Sequence, residues 1–258
     1  MSNQPPFAEY PRPSQGPSFG APYGRGPGVY FDAIGESWGI VKKDLGTWIA
    51  ATIVTAAIYY AMIFTVNLAI PPLTPAELRS FDLSRIGGRF ALQMALTMIP
   101  ASIFQIMIAG MIAMGVKKLR GEYINVGMIF EPFRSFGTLF LTSLLYSLVT
   151  FAATMACLLP GLFFTPVLML MPAVAFMKNV GPVEALSITF DTCKAHWAGL
   201  LGLYILIVLL ALVGSCACLV GALFTAPMCI VVLAIHYRAF FESSQSPYAE
   251  GPAVYPSA

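Results

Sequence analysis

Between Trp197 and Tyr237 the chain runs for 41 residues without one Asp, Glu, Lys or Arg. As one α-helix at ~1.5 Å per residue, that run would reach roughly 60 Å. The hydrocarbon core of a bilayer is only ~30 Å thick and takes about 20 residues per crossing. The run therefore predicts two spans folded back on each other, with a break near Gly214 to Gly221. It is introduced by an amphipathic segment, VEALSITFDTCKAHW, beginning just after Gly181. One amphipathic segment followed by one apolar hairpin is the recurring unit.

Composition supports the membrane reading. Of 258 residues, 58% are hydrophobic and 10% charged, with mean hydropathy +0.77, against about 25% charged in soluble domains. Backbone polar groups in lipid must bond internally, which limits spans to helices or closed barrels. Long unbroken apolar runs exclude the alternation of a barrel. The chain thus reads as an all-α integral membrane protein. Cys157, Cys193, Cys216, Cys218 and Cys229 mostly lie inside apolar runs. Cys216 and Cys218 have no His or acid beside them in that run, so all five read as small packing residues. No basic head and short apolar region marks a secretory signal, so insertion is expected to start from a retained span.

Residues 1–29 and 242–258 are rich in Pro, Gly and Ser, and read as disordered tails. Phe7, Tyr10, Phe19 and Tyr23 are candidate contact points for a partner, with a plain solvated tail as the favoured reading. The six-span domain, 30–241, divides into units 30–118, 122–178 and 182–241. In the first, Phe31, Ile34, Trp38, Val41 and Leu45 step by three and four along one helical stripe, and the segment is expected to lie at the interface with that stripe in the lipid or against the bundle. A span follows from Gly46 to about Ile70, then a polar loop with Glu77, Arg79, Asp82 and Arg85. The second span runs from Phe90 to Val116. In the second unit Tyr123, Val126, Phe130 and Phe133 form the stripe, with Pro132 breaking or ending the helix. Gly137 to Met177 is again 41 residues without a charge, with a turn signal at Leu159-Pro160-Gly161.

Register ties the units together. Shifting by 60 places Pro100 on Pro160, Phe104 on Phe164 and Phe224, Gly161 on Gly221, and Lys118 on Lys178 and Arg238. Shifting by 152 places the first stripe on Val183, Leu186, Phe190, Cys193 and Trp197, and Lys42 on Lys194. Each unit has two spans and so returns to the side it left, which makes these parallel repeats. Lys42, Lys43, Lys117, Lys118, Arg120, Arg134, Lys178, Lys194 and Arg238 gather on one side; Arg79, Arg85 and Arg89 lie on the other. The positive-inside rule makes the first side cytoplasmic, with both termini inside.

Candidate chemistry is sparse. His236 is the ionisable group within a span and lies near the interface, where a hydrogen-bonded structural role is expected and proton handling is the alternative. Asn67, Gln93 and Gln105 suit interhelical hydrogen bonds. Gln105 aligns with Thr165 and Thr225 in a polar layer that either glues helices or lines a shallow cavity. Pro100, Pro166, Pro172 and Pro227 permit kinks. Lys42, Lys118, Lys178, Lys194 and Arg238 are placed to meet anionic lipid headgroups. No hydrolase, metalloprotease or phosphate-loop motif is present. His196 with Asp191 is the nearest approach to a catalytic pair, and a solvated interface explains both. The expectations are no catalysis, no cofactor, no metal and no nucleic acid.

From Leu159-Pro160-Gly161 through the Gly181-x-x-Glu184-Ala185-Leu186 stretch and the span after it, the sequence resembles uncharacterised bacterial multipass proteins. That group is similar to the membrane domain beside some glycerophosphodiester phosphodiesterases. The resemblance covers about residues 120 to 241 and lacks the catalytic barrel. It implies a helical bundle of the bacterial cytoplasmic membrane. Two functions remain open: a membrane scaffold or accessory subunit, or a small transporter or lipid-handling protein with a path between the hairpins.

Overall fold

The computed structural model describes residues 28–70, 83–156, 158–216 and 218–242. The tails, apart from Gly28, Val29 and Glu242, and most of the polar loop lie outside the described residues. Nine α-helices are present among the described residues. They are α1 (Ala33–Val41), α2 (Leu45–Ala69), α3 (Leu83–Leu119), α4 (Phe136–Ala156), α5 (Leu158–Leu168), α6 (Met171–Lys178), α7 (Pro182–Cys193), α8 (Trp197–Cys216) and α9 (Cys218–Phe241). No strand occurs among the described residues. Six helical stretches are long and apolar enough to cross a membrane, which makes this a multipass membrane protein: Ala33–Ala69, Gly87–Leu119, Val126–Ala156, Pro160–Lys178, Pro182–Cys216 and Gly221–Phe241.

These stretches alternate between an outer and an inner position. In order, 11, 67, 17, 56, 17 and 56% of the apolar part of each is buried within the protein. The second stretch of each pair therefore forms the centre, and the first lies around it with its flanks turned outward. Each inner stretch packs on its own outer partner: α3 on α2, α5 on α4, α9 on α8. Each also packs on the outer helix of the next pair: α3 on α4, α5 on α8, and α9 back on α2. The short entry segments continue this order, with the Val126–Ser135 segment against α3, α7 against α6, and α1 against α9. The first contact of the chain thus closes the ring onto its last helix.

Local chemistry explains the boundaries. Apolar runs leave helix as the only way to satisfy the backbone in lipid. At the charged end, α3 stops where Gly121 takes a left-handed φ of 81° and Glu122 N–H donates to the Lys117 carbonyl at 3.1 Å. Helix α6 stops in the same way: Asn179 is left-handed (φ 51°) and Val180 N–H donates to the Ala175 carbonyl at 3.2 Å. Both closures satisfy carbonyls that the helix end leaves open. Gly181 is extended and Pro182 opens α7, where its fixed φ suits a first turn and its missing N–H costs nothing. Pro100 and Pro227 lie inside uninterrupted helices, whereas Pro166 and Pro172 flank the break between α5 and α6.

The stripe of α1 is divided between outside and bundle, and three further local expectations are corrected. The side of α1 that meets the protein is Ala33, Ser37 and Val41, while Phe31 and Trp38 of the apolar stripe remain 53 and 40% exposed. A bilayer accepts large apolar side chains as readily as a protein core does, and small residues allow the closest helix approach. The second entry segment is a ten-residue 3-10 helix, Val126–Ser135, which contains Pro132. Its buried residues are Ile129 and Pro132, three apart as that helix requires, while Tyr123 and Phe130 are exposed. Pro160 and Gly161 sit inside α5 rather than at the reversal, because Pro is tolerated in a first turn. Arg85 belongs to α3, which begins at Leu83, and not to the polar loop.

The first and third pairs share details beyond the apolar pattern. Both insert a three-residue 3-10 turn between entry helix and span, Lys42–Asp44 and Lys194–His196. The buried residues Ala33, Ser37, Val41, Trp48 and Ala51 stand 152 positions before Ala185, Thr189, Cys193, Leu200 and Leu203, which are buried as well. Residues 110–112, 170–172 and 230–232, at a spacing of 60, are buried in all three inner helices.

Candidate functional site: the cation-rich end

The ends of α3, α6 and α9 converge, and ion pairs tie them to the entry segments. Lys118 pairs with Asp44 in the turn before α2. Lys117 donates to both carboxylate oxygens of Glu131 at 3.2 and 3.1 Å. The Glu242 carboxylate, just past α9, accepts from Arg120 at 2.6 Å and from Arg238 at 3.3 Å. Arg238 also donates to the Leu119 carbonyl at 3.2 Å, one of the open acceptors at the end of α3. Lys178 lies 5.5 Å from the centroid of the Phe241 ring, within cation–π range. His196 stacks near Phe240 at 5.5 Å, which brings the third entry segment to the same end.

These contacts border a half-open cavity of about 380 Å³ among the three inner helix ends. Its apolar lining includes Ala113, Val116, Phe176, Met177 and Phe241, and its polar lining is Lys117, Arg120, Glu131, Lys178, Tyr237 and Glu242. Lys117 and Arg120 face carboxylates; Lys178 has none among the described residues. Tyr237 is 2% exposed as a residue, yet its hydroxyl is not among the buried polar atoms left without a partner, so it opens on the cavity.

Of the cations expected to meet lipid headgroups, Lys118 and Arg238 are engaged within the protein and Lys178 lines the cavity. Lys194 lies outside on α7's extension, bonded to Asp191 at 2.6 Å and over the Phe190 ring. Lys42 is exposed. The nearest approach to a catalytic pair, Asp191 with His196, is thus divided: Asp191 faces Lys194, and His196 faces Phe240.

His236 is fully buried. Its Nδ1 lies 2.8 Å from the Val232 carbonyl, and its Nε2 accepts the Tyr30 backbone N–H at 3.1 Å. With the proton on Nδ1 both ring nitrogens are satisfied, and the ring fastens the chain entering α1 to α9. Val29 continues this contact against Gly199 of α8.

Gln105, Thr165 and Thr225 are each half-buried. Thr165 donates to its own helix at Gly161, 2.8 Å, and Thr225 packs against Gly214 of α8. The cavity does not include these three. At the other end of the bundle Gln93 donates to Asn67 at 3.2 Å, an interhelical amide bond between α3 and α2.

Glu131, Tyr237 and Glu242 were not singled out in the sequence as site residues. One signal was available: Lys117, Met177 and Tyr237 share a register at a spacing of 60, one residue before the terminal cations.

No family model matches the chain, and no solved structure matches it. The chain is similar to the uncharacterised protein Rv2560 of Mycobacterium tuberculosis, at 27% identity over 118 residues. It is also similar to the uncharacterised protein Mb2590 of Mycobacterium bovis, at 26% over the same length. Each match takes in 46% of this chain and 36% of the relative, so the matched region spans little more than a third of the curated proteins.

Proposed function

We propose that the chain is a non-catalytic membrane component, a scaffold or accessory subunit, built from three parallel copies of one entry-helix-plus-hairpin unit. The observation that carries this reading is the solid packing of the bundle centre. Met107, Met111, Met114, Val174, Val231 and Ala234, all on the inner helices, are at most 2% exposed. Close-packed interiors of this kind leave no room for a solute. The unit reading draws on the cyclic packing order and on the matching buried positions at 60 and 152. The resemblance to membrane domains of glycerophosphodiester phosphodiesterases belongs to the same proposal. So do placement in a bacterial cytoplasmic membrane with both termini inside, and tails that contact a protein partner.

Cysteine accessibility tests the central claim. In a chain freed of its own cysteines, Met114→Cys, Val174→Cys and Ala234→Cys are expected to resist water-soluble thiol reagents in sealed proteoliposomes. Rapid labelling at two of the three positions would mean an aqueous path and would replace the scaffold with the transporter reading.

A further inference from the structure

The cavity at the cation-rich end carries more than a packing explanation. It is set where all three inner helices terminate, and its lining holds three cations against two carboxylates. Glu131 and Glu242 are taken up by Lys117 and Arg120, which leaves Lys178 as the lining cation without a carboxylate among the described residues. Its ammonium is held over Phe241. Lys117 and Arg120 retain further N–H donors beyond those their partners use, since an ammonium has three and a guanidinium five.

The second observation is Tyr237. Its ring is buried, while its hydroxyl makes no bond to another described residue and is open to the cavity. An acceptor oxygen in the cavity would take the place of water at that hydroxyl. The ligand therefore has to bring oxygens and negative charge to Lys178 and Tyr237, beside apolar walls at Phe176 and Phe241. We propose that this cavity is a binding site for a phosphate-type oxyanion, with Lys178 and Tyr237 as its principal contacts and Lys117 and Arg120 as supporting donors. Its volume exceeds that of a bare phosphate and accommodates a phosphorylated headgroup. The proposal is independent of whether the protein is a scaffold.

Two sources of such an oxyanion, a phospholipid and a dissolved phosphate, are separable by experiment. The full-length chain is reconstituted in phosphatidylcholine nanodiscs with or without phosphatidic acid, and retained lipid is measured by native mass spectrometry. In parallel, the unfolding midpoint in lipid-depleted detergent is followed against inorganic phosphate. Phosphatidic acid is expected to be retained. Lys178→Gln and Tyr237→Phe should each weaken retention by about tenfold, the loss of one charge-assisted or buried hydrogen bond. Lys178→Arg should restore part of it, and Arg134→Gln, an exposed cation on the Val126–Ser135 segment, should change nothing. If phosphate alone raises the midpoint, and does so in wild type but not in Lys178→Gln, the site stands with a soluble ligand. Equal losses for Arg134→Gln and Lys178→Gln would reduce the effect to surface charge and overturn the site, as would failure of both probes to bind. Tyr237→Phe keeps the ring and so preserves the test if Lys178→Gln does not fold. Failure here leaves the thiol-accessibility result for the bundle centre unaffected.

Discussion

Gly110 lies where α3 meets the Val126–Ser135 segment. A Cβ added there would come within 2.7 Å of the Ile129 carbonyl oxygen and 3.0 Å of its Cα. Those atoms are backbone, so no side-chain rotation relieves the contact; helix and segment would have to part. Overpacking of this kind costs typically ~1–3 kcal/mol. Gly110→Ala should therefore lower the unfolding midpoint by roughly 2 to 12 °C, at about 2–4 °C per kcal/mol for a chain of this size. Gly35→Ala is the matched control. Nothing lies within 4 Å of the added carbon, and the exchange removes up to ~1 kcal/mol of helix-propensity cost. Both variants would be measured side by side in nanodiscs by fluorescence-monitored thermal unfolding. Gly110→Ala melting at or above Gly35→Ala would refute the idea that backbone contact at Ile129 sets this seam.

Two further outcomes follow from the packing. His236→Phe keeps the buried ring but removes the acceptor of the part-buried Tyr30 N–H, at a cost of about 1 kcal/mol; limited proteolysis near residues 28–31 should accelerate at least severalfold, and an unchanged cleavage rate would show that the ring does not hold the entering chain. With both termini proposed inside, Glu122→Cys and Val180→Cys in a cysteine-free chain should stay unlabelled when intact cells meet impermeant thiol reagents; labelling of both from outside would reverse the orientation.

Much of the architecture is legible in the residues because a bilayer enforces a coarse rule. Two uncharged runs of 41 residues can only be helical pairs, and terminal cations at 118, 178 and 238 mark where spans end. Helix ends followed the same local chemistry, with Gly121, Asn179 and Pro182 at the closures and starts. The stripe reading left lipid and bundle as alternatives. Apolar periodicity at Phe31, Trp38, Tyr123 and Phe130 identified surfaces that avoid water, but lipid and protein satisfy that demand equally. The faces that meet protein are marked instead by small residues such as Ala33 and Ala185, whose role depends on how near a neighbouring helix comes.

The sequence alone determined that this chain crosses a membrane as helices, that its long apolar runs fold back on themselves, and which end gathers the cations. Burying backbone in hydrocarbon and leaving charges in water are costs set by single residues and run lengths. The tertiary structure alone decided which helix of each pair is central. It also joined Tyr30 to His236 across 206 positions and left Tyr237 facing a cavity beside Lys178. These depend on contacts between residues far apart in the chain, and no local pattern of hydropathy carries that information.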